Sequence, residues 1–317
     1  MKIIQKLVLL LSSLFLLVQP NPGYKPKADG VLLNAALVSD THIDARLPLG
    51  RYMLARGLTD MACSSAPVDA VVVTGDMTNY GDGKSVEAFY SLFQKHCRAE
   101  HLVIAPGNHD IGHVEDATQE EARQRLTRFY NEVTGLNTEQ IYYSLDVNGY
   151  TFIVLSDQSD DSWDEPELFD DQLAFLDSEL ARGTAGGKPA FVACHWPLEG
   201  TNGQAEVWED GSIGIENSQK IRPILEKYRN VFFLSGHMHI GINGEFTESV
   251  FGFSCVETIN GVTYVNLPTY LLVNRFGVPW GGLGFQMEVY EDEAVFRARN
   301  YATSKWYPAY EFTVALD

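Results

Sequence analysis

Residues 102–110 read LVIAPGNHD, four apolar side chains followed at once by a Pro-Gly turn, an amide, an imidazole and a carboxylate. An apolar run this short, bounded by turn residues, predicts a strand buried on both faces. The same juxtaposition recurs to either side. Upstream, VLLNAALV at 31–38 runs into Ser39-Asp40-Thr41-His42, and AVVVT at 70–74 runs into Gly75-Asp76. Downstream, AFVAC at 190–194 delivers His195 and VFFLS at 231–235 delivers Gly236-His237-Met238-His239, while TFIVL at 151–155 is a further run of the same kind. Amphipathic helical patterns fill the intervals at about 48–62, 84–97, 116–133, 170–182 and 216–229. Strand and helix alternate, which predicts an α/β fold with parallel strands.

Antiparallel pieces are present as well. Asn148-Gly149 and Asn260-Gly261 each stand between strand-like runs and signal type I′ hairpins, a further hairpin is expected over 285–299, and YEFTVAL at 310–316 reads as a last strand. One doubly wound sheet does not hold both kinds of connection, so two mixed sheets packed together are expected. No repeat, low-complexity tract or interdomain linker follows residue 30, and 30–317 reads as one domain. The 317 residues are 45% hydrophobic and 21% charged, a composition that builds a core and excludes disorder, collagen and coiled coil. Against 42 Asp and Glu stand 23 Lys and Arg, a formal charge of −19 that disfavours binding to a phosphate backbone. Small ligands, or metals that invert the local charge, suit this surface better. Neither a sequence-specific nucleic acid nor a protein partner is expected.

The first residues, MKIIQKLVLLLSSLFLLVQPNPG, place Lys2 and Lys6 before an apolar run that ends at Val18, and break at Pro20 and Pro22. The run is short of the roughly 20 residues that span a bilayer, so 1–22 reads as a signal peptide and the protein as exported, extracellular or periplasmic. No small-x-small cleavage site stands out, which leaves a retained N-terminal membrane anchor as the alternative. Cys63, Cys97, Cys194 and Cys255 are too few and too scattered for a disulfide scaffold or a zinc site of the CxxC type. Cys63 and Cys97 each precede a strand, where they are either bridged after export or free and buried.

The chemistry lies where strands end. The carboxyl ends of strands in an open α/β sheet form one crevice, so residues remote in sequence meet there. Asp40, His42, Asp76, Asn108, His195, His237 and His239 would then face a single cavity. Mixed oxygen and imidazole donors suit manganese, iron or zinc better than calcium, magnesium or a thiolate site. Seven donors are too many for one tetrahedral ion and about right for two ions sharing a carboxylate. Gly75, Gly107 and Gly236 directly precede donors, where a tight turn needs a backbone without Cβ conflict. Any one of these pieces has an ordinary explanation as a turn or helix cap. Their repetition at strand after strand is what the metal reading requires.

In these five motifs, spanning residues 40 to 239, the sequence resembles the calcineurin-like metallophosphoesterase family. The resemblance implies an α/β/β/α four-layer sandwich, two packed mixed sheets flanked by helices, and a hydrolase acting on phosphoric esters. It further implies that Asp40, His42, Asp76 and His239 hold a first metal, that Asp76, Asn108, His195 and His237 hold a second, and that Asp76 bridges them. A hydroxide bridging the ions would attack phosphorus in line. His109 is similar to the family's catalytic histidine, which protonates the leaving oxygen or stabilises phosphoryl charge. Asp110 would orient and charge that imidazole, cap the helix after it, or do both. The expected substrate is a small phosphodiester, with a phosphomonoesterase or nucleotidase, or an exported non-catalytic metal-containing binding module, as alternatives.

Purple acid phosphatases of this superfamily carry a tyrosine three residues after the Gly-Asp aspartate and lack the first histidine. Here Asn79 stands in that place and His42 is present, so no tyrosinate-iron colour is expected, and Tyr80 reads as a site-wall or packing aromatic. Specificity is expected from two long polar stretches, 157–171 and 198–215, which carry Trp163 and Trp208. Candidate substrate contacts are His113, just beyond the catalytic stretch, Trp208, and Trp196, which follows His195 and either forms a stacking wall or packs beside the site. His96 and His101 flank a helix-to-strand turn and read as surface residues. Competing nucleotide and peptidase motifs fail. Gly183-Thr184-Ala185-Gly186-Gly187-Lys188 is one residue short of a P-loop, Gly282-Leu283-Gly284 lacks a third glycine, and no His-Glu-x-x-His is present.

Overall fold

The computed structural model describes residues 29–63, 68–112, 114–159, 166–203, 218–242, 253–270 and 281–317. The leader at 1–22, His113, Trp163 and Trp208 lie outside these residues. In chain order the elements are β1 (Leu33–Val38), α1 (Pro48–Cys63), β2 (Ala70–Thr74), α2 (Gly83–His96), β3 (His101–Ala105), α3 (Asn108–Ile111) and α4 (Gln119–Thr134). They continue as β4 (Tyr143–Val147), β5 (Tyr150–Val154), α5 (Asp170–Gly183), β6 (Ala190–Ala193), α6 (Ser218–Leu225) and β7 (Val231–Ser235). The last strands are β8 (Val256–Ile259), β9 (Val262–Asn266), β10 (Leu283–Val289), β11 (Glu293–Asn300) and β12 (Lys305–Ala315).

Two mixed sheets result, in the orders β12-β11-β10-β1-β2-β3 and β4-β5-β6-β7-β9-β8. In each, the parallel strands occupy one part and the hairpins the margins. β1, β2 and β3 run parallel with Val72 between Leu37 and Val103, and β5, β6 and β7 run parallel with Phe191 between Phe152 and Phe232. The sheets face each other, β2 over β6 and β3 over β5. The registered Phe152, Phe191 and Phe232 stack at 4.9 and 5.2 Å between ring centroids, and Phe232 meets Phe296 of β11 at 5.8 Å. Each such buried ring contributes about 1.5–3 kcal/mol of transfer free energy, which makes this aromatic row a main adhesive between sheets.

Helices cover the outer faces. α2 packs on α1 and α4, α4 on β3, and α5 on β5 and α6. Their ends follow from local chemistry: Asp82 accepts from the Ser85 N–H at the start of α2, Thr118 and Glu121 cap the start of α4 reciprocally, and Gly135 ends α4 at φ 73°. Among the described residues no helix is long and apolar enough to cross a membrane.

Both Asn-Gly pairs form the turns expected of them, with φ of 52° and 80° at Asn148-Gly149 and 51° and 83° at Asn260-Gly261. Three boundaries differ from the sequence reading. The last helix stops at Leu225, where the chain tightens from i→i−4 bonding into the turns Lys227 N to Ile224 O and Tyr228 N to Leu225 O. β12 begins at Lys305 although it contains Pro308, which an edge strand tolerates because its outward N–H pairs with nothing. The Asn108–Ile111 stretch, to which the sequence reading assigns no element, is one helical turn. Cys63 and Cys97 are both free, Cys63 exposed, so no bridge joins them.

α1 follows the first motif and is pinned to the first sheet by a nearly buried ion pair. Arg299 of β11 donates from Nε and Nη2 to Asp60 at 2.8 and 2.7 Å, with its guanidinium 4.1 Å from the Trp306 ring centroid. Removing the carboxylate strands a charge with 8% of its side chain exposed. Asp60→Ala should therefore destabilise the fold by about 3 kcal/mol in urea titration. A loss under about 0.5 kcal/mol would show that Trp306 and water satisfy Arg299 unaided.

Candidate metal centre

The ligand-bearing segments leave the carboxyl ends of strands in both sheets. β1, β2 and β3 lead to Asp40 and His42, to Asp76 and to Asn108, while β6 and β7 lead to His195 and to His237 and His239. Backbone bonds carry the ladder past the strand ends, so these segments are not free loops. Asp40 N donates to Gly75 O, His42 N to Asp76 O and Ile43 N to Met77 O at 2.8–3.0 Å, and Gly236 N donates to His195 O at 2.8 Å. The chain after β9 closes the gap between sheets, with Leu267 N on Ser235 O at 2.7 Å and Tyr270 N on Ser39 O at 2.9 Å.

Five of the seven donors sit at positive φ: Asp40 at 53°, His42 at 42°, Asp76 at 48°, His237 at 68° and His239 at 52°. Left-handed backbone costs a residue with a Cβ about 1 kcal/mol or more, so its repetition here marks a constraint other than local preference. All three glycines sit where a Cβ would conflict, as expected, but they differ in backbone. Only Gly75 has a positive φ, at 96°, whereas Gly107 and Gly236 are required by crowding. A Cβ at Gly75 would strike the His195 ring, one at Gly107 the Asp76 carboxylate, and one at Gly236 the Ser39 hydroxyl.

Two clusters of donor atoms emerge. In one, donor atoms of Asp40, His42, Asp76 and His239 all lie within 4.8 Å of one another. His42 Nε2 is 2.9 Å from His239 Nε2 and 3.4 Å from Asp76 Oδ2, and His239 Nε2 is 3.2 Å from Asp40 Oδ1. In the other, Asn108 Oδ1, His195 Nε2 and His237 Nδ1 form a triangle with sides of 3.1, 3.2 and 3.2 Å, and His195 Nε2 is 3.4 Å from Asp76 Oδ1. Asp76 thus turns one oxygen to each cluster. Bonds of roughly 2.1 Å from a common ion give tetrahedral or octahedral edges of about 3.0–3.4 Å, the spacing seen here.

Burial and tautomer agree with that geometry. Asp40, Asp76 and His195 are at most 1% exposed, and Asp40 Oδ2 is a buried oxygen with no hydrogen-bond partner, an uncommon state for a carboxylate in a packed core. His195 Nδ1 lies 2.8 Å from Thr74 O, which can only accept, so Nδ1 carries a proton and Nε2 is the nitrogen turned to the cluster. Burial opposes ionisation of Asp76, but the charge and hydrogen bond of His195 outweigh it and hold the carboxyl well below the ordinary range. Burial likewise lowers His42 to about 4 and, with the neighbouring His195 charge, His237 to about 3; His195 itself rises to about 9 because Asp76 overcomes its burial. Acidic oxygens and imidazole lone pairs converging this closely fit a pair of cations of intermediate softness.

His109 stands at the mouth, 26% of its side chain exposed, with Nε2 4.0 Å from Asp76 Oδ2 and its ring edge-on to His42 at 4.6 Å. Its Nδ1 is 2.8 Å from Asn79 O. That carbonyl therefore orients the imidazole, so of the two roles expected of Asp110 the orienting one is corrected, while as a cap it closes the turn Asn108–Ile111 that contains it. One residue along a helical turn, the Asp110 carboxylate faces the protein interior instead. It accepts from Met77 N at 3.1 Å, Thr78 N and Oγ1 at 2.9 Å and Gly107 N at 2.9 Å, tying the Asp76 segment to the Asn108 segment. Burial, with the Asp76 charge second, raises Asp110 to about 6.

Of the two readings of Trp196, a stacking wall or packing beside the site, the second holds. It is 0% exposed and meets His195 and His237 edge-on or tilted at 5.2 and 6.3 Å, so it backs the donor rings and has no face for a substrate. Of the first long polar stretch, the base is fixed: Asp157, beyond β5, accepts from the Ser159 and Glu167 N–H groups at 2.9 and 2.7 Å and faces Arg123 at 3.6 Å. The orienting carbonyls of Thr74 and Asn79 were beyond sequence reading, since every residue supplies a carbonyl.

Among solved structures, the chain is similar to a purple acid phosphatase from yellow lupin (Lupinus luteus) seeds, at 13% identity and a TM-score of 0.59 over 90% of this chain and 54% of that one. It therefore spans about half the length of the lupin protein. A conserved protein from Streptococcus pneumoniae, described as a predicted phosphoesterase, aligns at 11% identity and a TM-score of 0.42 over 89% of this chain and 97% of that one. At such identities the lupin likeness concerns the fold. No curated protein matches the sequence. The family profile of the calcineurin-like phosphoesterases matches residues 33–241, a span that contains every converging donor, and the chain belongs to that family.

Proposed function

We propose that this phosphoesterase is an exported enzyme that hydrolyses small phosphodiesters, with residues 30–317 as the catalytic domain and 1–22 as a signal peptide or anchor. The observation that carries the reading is the pair of donor clusters joined by Asp76, with His109 at their mouth. Asp40, His42, Asp76 and His239 are assigned to one cation and Asp76, Asn108, His195 and His237 to the other, manganese, iron or zinc by the softness of the set. When bound, the two ions would supply Lewis-acid charge and would lower the pKa of a water toward about 7, the chemistry from which a nucleophile for in-line attack on phosphorus would come.

The chain's own groups do the rest. Because Asn79 O fixes Nδ1 as a donor, His109 turns Nε2 to the mouth, where its protonated form donates to a phosphoryl oxygen and then gives its proton to the leaving oxygen. Asp110 is a positioning residue that keeps the Asp76 and Asn108 segments in register. Diester preference is supported by charge. A diester brings one negative charge where a monoester brings up to two, and the formal charge of −19 penalises the second. The same acidity supports the absence of a sequence-specific nucleic-acid partner.

With the leader deleted and Mn²⁺ restored, the protein should hydrolyse bis(p-nitrophenyl) phosphate faster than p-nitrophenyl phosphate, and Asn108→Ala should abolish both. Faster turnover of the monoester would redirect the reading to a phosphatase or nucleotidase, and bound metal without turnover to a binding module. Two further variants separate chemistry from scaffold. His109→Ala should keep its metals, read by elemental analysis, and lose about 10²–10⁴-fold in kcat. Asp110→Ala leaves buried N–H groups unpaired at a cost of about 1–3 kcal/mol each, so its melting temperature and its metal content should fall together. Unchanged stability in the second variant, or metal loss in the first, contradicts these roles.

A further inference from the structure

We propose that the leaving group accepted here carries a planar aromatic ring, and that the guanidinium of Arg46, stacked on Tyr80, is the platform on which that ring lies. The proposal rests on the phosphodiesterase reading and names a substrate class for the same site.

A leaving oxygen that takes its proton from His109 departs on the His109 side of the mouth. Asn79 lines that side through its carbonyl, Tyr80 follows it, and Arg46 lies over the Tyr80 ring with Cζ 4.8 Å from the centroid. The bonds His42 N to Asp76 O, Ile43 N to Met77 O and Asn79 N to Ile43 O hold the two segments side by side, which brings Arg46 next to the residues that orient His109.

The guanidinium is fixed and its edges are occupied. Nε and Nη2 donate to the two oxygens of Asp44 at 2.9 and 3.0 Å, and Nη1 reaches Glu115 at 3.5 Å. An anionic group would therefore gain little from Arg46 and would meet the two carboxylates. On one side the guanidinium lies over Tyr80, yet 57% of the side chain is exposed, so the side turned away from Tyr80 is what a ligand can use. A cationic plane held rigid by a bidentate pair stacks a ring at little entropic cost. Along the chain the next exposed side chains are apolar, Leu47 at 59% and Leu49 at 53%.

Calorimetric titration of the Mn²⁺-loaded full chain with phenylphosphonate and methylphosphonate tests this, because the two share a headgroup and differ in the ring. Phenylphosphonate should bind about fivefold tighter. The ratio should fall to within twofold of one in Arg46→Ala, and remain there in Arg46→Lys, which restores the charge without the plane. Metal content, measured in parallel, should match the parent in both variants. An adenosine methylenephosphonate separates the two sources of a ring: a gain beyond that of phenyl indicates a nucleobase, and an equal gain any aryl group. Equal binding of the first two ligands by the parent, or a ring preference that survives Arg46→Ala, overturns the platform while leaving the phosphodiesterase reading intact. If neither phosphonate binds and neither nitrophenyl ester is hydrolysed, the underlying reading fails and the platform fails with it.

Discussion

The Asp76 carboxylate is buried, charged and turned to two donor clusters at once, and most of the molecule is arranged so that it can be. Oδ1 faces His195 and accepts the His109 N–H at 3.0 Å, while Oδ2 faces His42 at 3.4 Å. An isolated carboxylate with 1% exposure would be protonated or expelled. Here imidazoles from both sheets compensate it, so its ionised state depends on the sheets staying in register. The aromatic row of Phe152, Phe191, Phe232 and Phe296 provides that register, and the chain after β9, bonded to Ser39 and Ser235, locks it at the site itself.

Holding so many donors against one point has a conformational cost, visible in the left-handed backbone of Asp40, His42, Asp76, His237 and His239. Donors two residues apart, as in Asp40-Thr41-His42 and His237-Met238-His239, would point to opposite sides of an extended strand. Left-handed backbone at the donors bends the chain so that both members of each pair join the centre, while the hydroxyl of Thr41 and the apolar Met238 between them face the protein. Asp110 and the glycines at 107 and 236 then fill or vacate the little space that remains.

Much of this was legible in the residues because the signals were short in range. Runs such as AVVVT and VFFLS could only be strands, the Asn-Gly pairs only tight hairpins, and the repeated polar cluster at strand ends located the centre. What escaped depended on direction or on backbone. Adjacency in sequence suggested that Asp110 serves His109, whereas a helical turn points them apart and a carbonyl from another segment takes the role. Trp196 adjoins a donor in sequence, yet its indole is packed behind the ring. Pro308 concealed the first half of β12, since the residues alone do not say which strand lies at an edge.

Electron paramagnetic resonance of the Mn²⁺-loaded protein reads directly whether Asp76 joins two ions. Two equivalents of manganese per chain with an exchange-coupled spectrum is the predicted result. An uncoupled six-line signal at one equivalent, with no coupled species as manganese is added, would mean that the two donor clusters do not share a carboxylate and would contradict the account.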